Sequence, residues 1–174
     1  MKKVTLVLIA LFLSLSAIVS AQSSANCDVK VSIIKALSIS NYGTSKIDFG
    51  EIIMNGTSQN KTVTNDLGGH FLIIGQPNRN VTVTFPATLD FTNTAWVTTN
   101  GGTIGTITLT ATASQTGKNV TYTSPGTITS GTPLPLVNNA GAGNLNVWVG
   151  GSITVPSTQA NGDYLGTYTV SVAY

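Results

Sequence analysis

Leu145-Asn146-Val147-Trp148-Val149-Gly150-Gly151-Ser152-Ile153-Thr154-Val155 places an apolar side chain at every second position on both sides of a glycine pair. A two-residue period is the mark of a β-strand that buries one face, and paired glycines suit a tight hairpin turn. The stretch therefore reads as two strands joined at Gly150-Gly151, with Pro156 ending the second because its ring cannot donate to a ladder. Asn161-Gly162 turns the chain once more into a final strand, where Tyr164, Gly166, Tyr168, Val170, Val172 and Tyr174 share a face.

The same period recurs upstream. Val81, Val83 and Phe85 alternate with threonines, as do Ile107, Leu109, Ala111 and Ala113. Near the N-terminus Val29, Val31, Ile33, Leu37 and Ile39 fall on one side, interrupted by Lys35, where a bend or bulge reconciles the pattern. Ile47 to Ile53, Phe71 to Ile74 and Val120 to Tyr122 are less regular strand candidates. Pro125-Gly126, Pro133, Pro135 and Asn138 to Gly143 read as connecting loops, and Pro86 to Gly102 as an irregular stretch. No segment holds a 3.6-residue apolar period, so no helix is expected. About nine or ten short antiparallel strands in one all-β domain, a sandwich or a barrel, is the expected architecture.

Met1-Lys2-Lys3 runs into an apolar stretch from Val4 to Val19 that ends at Val19-Ser20-Ala21. That layout is a secretory signal peptide over residues 1–21, which predicts export and leaves 22–174 as a single domain. Removing 21 of the 174 residues leaves 153, enough for a substantial core. The formal charge of +2 then disappears with Lys2 and Lys3, since six basic residues face six acidic ones in the remainder. Neither nucleic acid nor a lipid surface is implied as a partner, and no membrane span remains. Cys27 is the only cysteine, so no internal disulfide is available.

Nothing in the chain converges on catalysis. His70 is the only histidine and opens the apolar run Phe71 to Ile74, which makes it a turn or strand-start residue. The carboxylates Asp28, Asp48, Glu51, Asp66, Asp90 and Asp163 stand singly, and an offset of three puts Asp48 and Glu51 on opposite faces of a strand. The expectation is a protein that is not an enzyme, with no cofactor and no metal. Trp148 shares its face with Asn144 and Asn146; it is either a surface contact or a residue of a central strand covered on both sides. Trp96 is expected to plug a long loop.

The order of features carries a resemblance. Ala36-Leu37-Ser38-Ile39 is followed by Ile47-Asp48-Phe49-Gly50-Glu51-Ile52-Ile53, then Val149 to Val155, then Gly162-Asp163-Tyr164-Leu165-Gly166-Thr167-Tyr168-Thr169-Val170-Ser171-Val172-Ala173-Tyr174. This resembles the bacterial family catalogued as domain of unknown function 4402. The resemblance implies an exported immunoglobulin-like β-sandwich, distantly similar to fimbrial and spore-coat-U-type subunits, and it implies no catalytic residue.

Pilus-type subunits complete one another by adding a neighbour's extended segment to an open sheet edge. Two stretches suit such assembly with copies of the chain or related subunits. One is Val29, Val31, Ile33, Leu37 and Ile39; the other is Tyr164, Tyr168, Val170, Val172 and Tyr174. Against the first stands length: if Val29 to Ile39 is the domain's own first strand, Gln22 to Asn26 alone precedes it, about 17 Å at strand rise. The rival readings are a glycan- or protein-binding module using Trp148, Trp96 and the Asn-rich loops, and a small outer-membrane barrel closed by the strand ending at Tyr174.

Overall fold

A computed structural model describes residues 24–43 and 45–174; the signal peptide read over 1–21 lies outside them. The chain divides at Ile33/Ile34. Residues 24–33 contain no helix or strand, and each is exposed.

From Ile34 onward the strands are β1 (Ser38–Asn41), β2 (Gln59–Val63), β3 (Gly69–Gly75), β4 (Asn80–Thr84), β5 (Thr88–Thr92), β6 (Thr106–Gln115), β7 (Gly126–Thr127), β8 (Pro133–Pro135), β9 (Val137–Asn139), β10 (Ala142–Val155) and β11 (Ser171–Ala173). They form two open antiparallel sheets rather than a closed barrel. The larger has eight strands in the order β1-β3-β10-β6-β5, with β2 and β9 also on β10 and β7 on β6; the smaller runs β11-β4-β8.

The opening stretch is one strand, not a hairpin. β10 continues for 14 residues through Gly150-Gly151, because its edges are paired almost throughout. β6 runs along Val147–Ile153 on one edge, while β3 and β2 share the other, over Gly143–Val149 and Gly151–Val155. Between β2 and β3 the chain makes a 3₁₀ turn, Asn65–Leu67, opposite Gly150. The glycine is there for space: a Cβ at Gly150 would sit 2.4 Å from the Val63 carbonyl oxygen and 2.8 Å from Asn65 N. Gly68 is equally constrained, its Cβ position lying 2.0 Å from the Val149 carbonyl oxygen.

Alternation then sorts the side chains. Leu145, Val147 and Val149 of β10 join Ile73 and Ala113 against Val81 and Val83 of β4, with Leu134, Tyr168 and Val172 packed on them. This is the sandwich: two sheets with an apolar layer between. A second buried cluster, Ile107, Leu109, Ile153 and Val155, continues along the larger sheet past the reach of the smaller one.

Several expectations need correction. Val29 to Ile39 is not one long strand, since pairing begins at Ser38, with Ile39 opposite Ile73. The final strand is a ladder only over Ser171–Ala173; before it lies a single bridge, Thr92 with Leu165. Short strands β7, β8 and β9 occupy the supposed loops, and β5 with a seven-residue helix, α1 (Thr94–Asn100), occupies the irregular stretch. Ile47 to Ile53 and Val120 to Tyr122 form no strand.

Candidate functional site

The second cluster has an unusual cover. Above Ile107, Leu109, Ile153 and Val155 lie two lengths of chain outside the strands, 45–54 and 159–168, the second touching the larger sheet only through the Leu165 bridge to Thr92. The first contributes Ile47, Phe49, Ile52 and Met54, the second Tyr164 and Tyr168. Between them runs a groove of about 1000 Å³, floored by those sheet residues with Leu89 and Phe91 and rimmed by Lys46, Asp48, Glu51 and Asp163.

Local chemistry builds the first wall. Ile47 and Phe49 turn inward at alternate positions, as a strand would place them. Gly50 then adopts φ +68°, and Asp48 Oδ1 accepts a hydrogen bond from its N–H at 2.9 Å. This turn shifts the register, so the next inward residues are Ile52 and Met54. Lys46 pairs with Asp48 at 2.7 Å; that contact, first through its hydrogen bond, and the Gly50 N–H hold the Asp48 carboxyl below its usual range. The second wall is pinned by hydroxyls. Tyr164 OH donates to the Ala160 carbonyl oxygen at 2.6 Å, and Tyr168 OH donates to the Pro86 carbonyl oxygen at 2.7 Å, with burial pushing its pKa up to about 12. Buried Asn93 supports this end, donating to the carbonyl oxygens of Thr103 and Asn161 and accepting from Gly105 N.

The backbone of these walls is largely unpaired. Among the described residues, the main chain of 46–54 and of 166–169 exchanges no hydrogen bond with another main-chain group. Main chain without a ladder partner leaves its N–H and C=O groups open to a further strand.

The expected assembly residues are distributed unevenly. Val29, Val31 and Ile33 are 93%, 81% and 89% exposed, while Leu37 and Ile39 pack on the main core. Tyr164 and Tyr168 line the groove, whereas Val170 and Val172 belong to the main core. Tyr174 is a clasp: its hydroxyl donates to the Lys35 carbonyl oxygen and accepts from Gln76 N, both at 2.7 Å, with Arg79 5.1 Å over its ring. Sequence offers Ile47 to Ile53 as an irregular strand candidate and a family motif but not as site residues, and does not mark Met54; the alternation of Ile47 and Phe49 is the available signal, and Gly50 breaks it.

Trp148 takes the second of its two readings. It is buried at 7% exposure on a strand covered on both faces, stacked on His70 with ring centroids 3.5 Å apart and met edge-on by Tyr122. Its Nε1 donates to Thr116 Oγ1 at 3.0 Å. His70, second residue of β3, is buried too. Asn146 Nδ2 donates to the Gly117 carbonyl oxygen at 3.0 Å, so its Oδ1 accepts from His70 Nε2 at 2.9 Å. Burial lowers the His70 pKa, and the Asn146 bond opposes that shift. Trp96 sits half-buried on α1 against Gly162. Among the described residues no three His, Cys, Asp or Glu side chains gather where they could hold a metal ion, and no helix is long and apolar enough to cross a membrane.

A family model described as Domain of unknown function (DUF4402) matches residues 37–174. No curated protein and no solved structure matches the chain.

Proposed function

The chain belongs to the DUF4402 family, and we propose that it is an exported, non-catalytic surface protein acting as a structural subunit, joined to copies of itself or to related subunits by strand addition. The observation that carries this reading is the exposure of Val29, Val31 and Ile33, three β-branched residues at strand spacing. A folded protein rarely leaves such a stripe in water unless a partner covers it. β-branched residues also favour the extended form that strand addition needs.

The objection from length no longer applies. With pairing beginning at Ser38, Ser24 to Ile33 contains no strand and spans about 33 Å at strand rise, enough to serve a neighbour. Export is argued from Met1 to Ala21. The glycan-binding alternative loses its main residue, because Trp148 is buried.

The test is the state of the purified chain without residues 1–21. Light scattering after size exclusion, with electron microscopy, should reveal multimers that grow with concentration. A monomer at every concentration overturns the proposal.

A further inference from the structure

We propose that the groove between 45–54 and 159–168 is the acceptor site for the segment Asp28–Ile34 of a second copy of this chain, so that copies join head to tail. This rests on the self-assembly reading above and adds the site, the occupant and the direction.

The groove asks for an extended peptide. Its apolar lining is the half-buried Phe49, Ile52, Leu89, Phe91 and Tyr164 over the buried cluster Ile107, Leu109, Ile153 and Val155, and among the described residues the main chain of 46–54 and 166–169 in its walls makes no hydrogen bond to another main-chain group. A strand laid between the walls pairs with that backbone and sends alternate side chains onto the apolar lining. Val29, Val31 and Ile33 point to one side of such a strand and suit that lining, while Lys30 and Ser32 point outward, Lys30 toward a rim that carries Asp48, Glu51 and Asp163 and whose lysine, Lys46, is already paired with Asp48.

Polarity selects a second copy over the chain's own segment. Lys35, the second residue of the folded unit, is held at one end of β10: its N–H donates to Gln76 Oε1 at 3.2 Å, its Nζ donates to the Gly141 carbonyl oxygen, and Tyr174 clasps its own carbonyl oxygen. The groove floor lies at the other end, at Ile153 and Val155, about 33 Å along the strand from Gly143. Self-insertion would require the segment to reverse and run the length of the sheet. A neighbour's segment arrives with no such demand. Donor and acceptor at opposite ends make a heterologous contact, which propagates as an open fibre unless a rotation closes it.

Cys27, one residue ahead of the donor segment, provides the probe. In the chain lacking 1–21, a second cysteine is introduced at Asp163→Cys or Thr167→Cys, one toward each end of the second wall, or at Thr132→Cys as a control beside β8. Mild oxidation should link Cys27 to a wall cysteine of the next copy and give a ladder beyond the dimer. The ladder should be absent from the Thr132→Cys chain, and Val31→Asp, changing an exposed residue, should weaken assembly roughly tenfold or more without altering the monomer's unfolding. Multimers that link equally through Thr132→Cys, or through neither wall position, overturn the groove assignment while leaving self-assembly standing. Intramolecularly linked monomers overturn it in favour of self-insertion. Absence of any multimer removes the self-assembly reading itself, and this inference with it.

Discussion

The larger sheet presents one continuous apolar face, yet its two halves are closed differently. Leu145, Val147 and Val149 are covered by β4 and β11, whose backbones are paired and whose side chains interdigitate with the sheet. Leu109, Ile153 and Val155 are covered by lengths of chain that bury side chains but pair little backbone. Ile47 and Tyr168 touch both clusters and mark the boundary. The contrast separates two requirements of a β-sandwich, burial and ladder completion: the first half satisfies both, the second satisfies burial alone. An incomplete ladder is where a partner strand gains most.

Core truncations should expose this difference most strongly. Leu145→Ala is expected to cost about 4 kcal/mol and Leu109→Ala about 2 kcal/mol in the monomer, because walls free of a ladder can relax into the vacated space. Urea unfolding of the two variants compares them; equal losses would mean that the second half is as tightly packed as the first. Glycines sharpen the same point. Gly150→Ala forces a Cβ against the Val63 carbonyl oxygen and should cost about 3 kcal/mol. At Gly50 nothing lies within 4 Å of the added atom, so Gly50→Ala should cost about 1 kcal/mol through its positive φ alone.

The closed half should also respond to pH. His70 is kept neutral in the fold by burial, so the unfolded chain binds more protons once pH falls below about 6.5. Stability present at neutral pH should therefore decline from pH 7 to 5, and His70→Gln should flatten that part of the thermal-midpoint profile. A steep decline retained in His70→Gln would assign it to other groups. The smallest effect is expected outside the folded unit. Changing Val29, Val31 and Ile33 together to Ser should leave monomer stability within about 0.5 kcal/mol; a larger loss would place these residues in the monomer's own core.

Much of this was legible where alternation coincides with pairing, as in β4 and β6. It misled where a local signal met a long-range one. Gly150-Gly151 has the composition of a turn, but β6 on one edge and β2 with β3 on the other hold it straight. Tyr164 to Tyr174 showed its inward face correctly, and the restriction of its ladder to Ser171–Ala173 depends on where β4 lies. α1, Thr-Ala-Trp-Val-Thr-Thr-Asn, is too short and too β-branched to show a helical period. The groove was invisible because its walls come from residues more than a hundred positions apart.

Hydrogen exchange tests the central claim most directly. Amides of 46–54 and 166–169 should exchange rapidly in monomeric Val31→Asp and become protected in the assembled wild-type chain, together with Asp28–Ile34. Protection of both walls already in the monomer, or assembly that leaves them exchanging freely, would contradict the account.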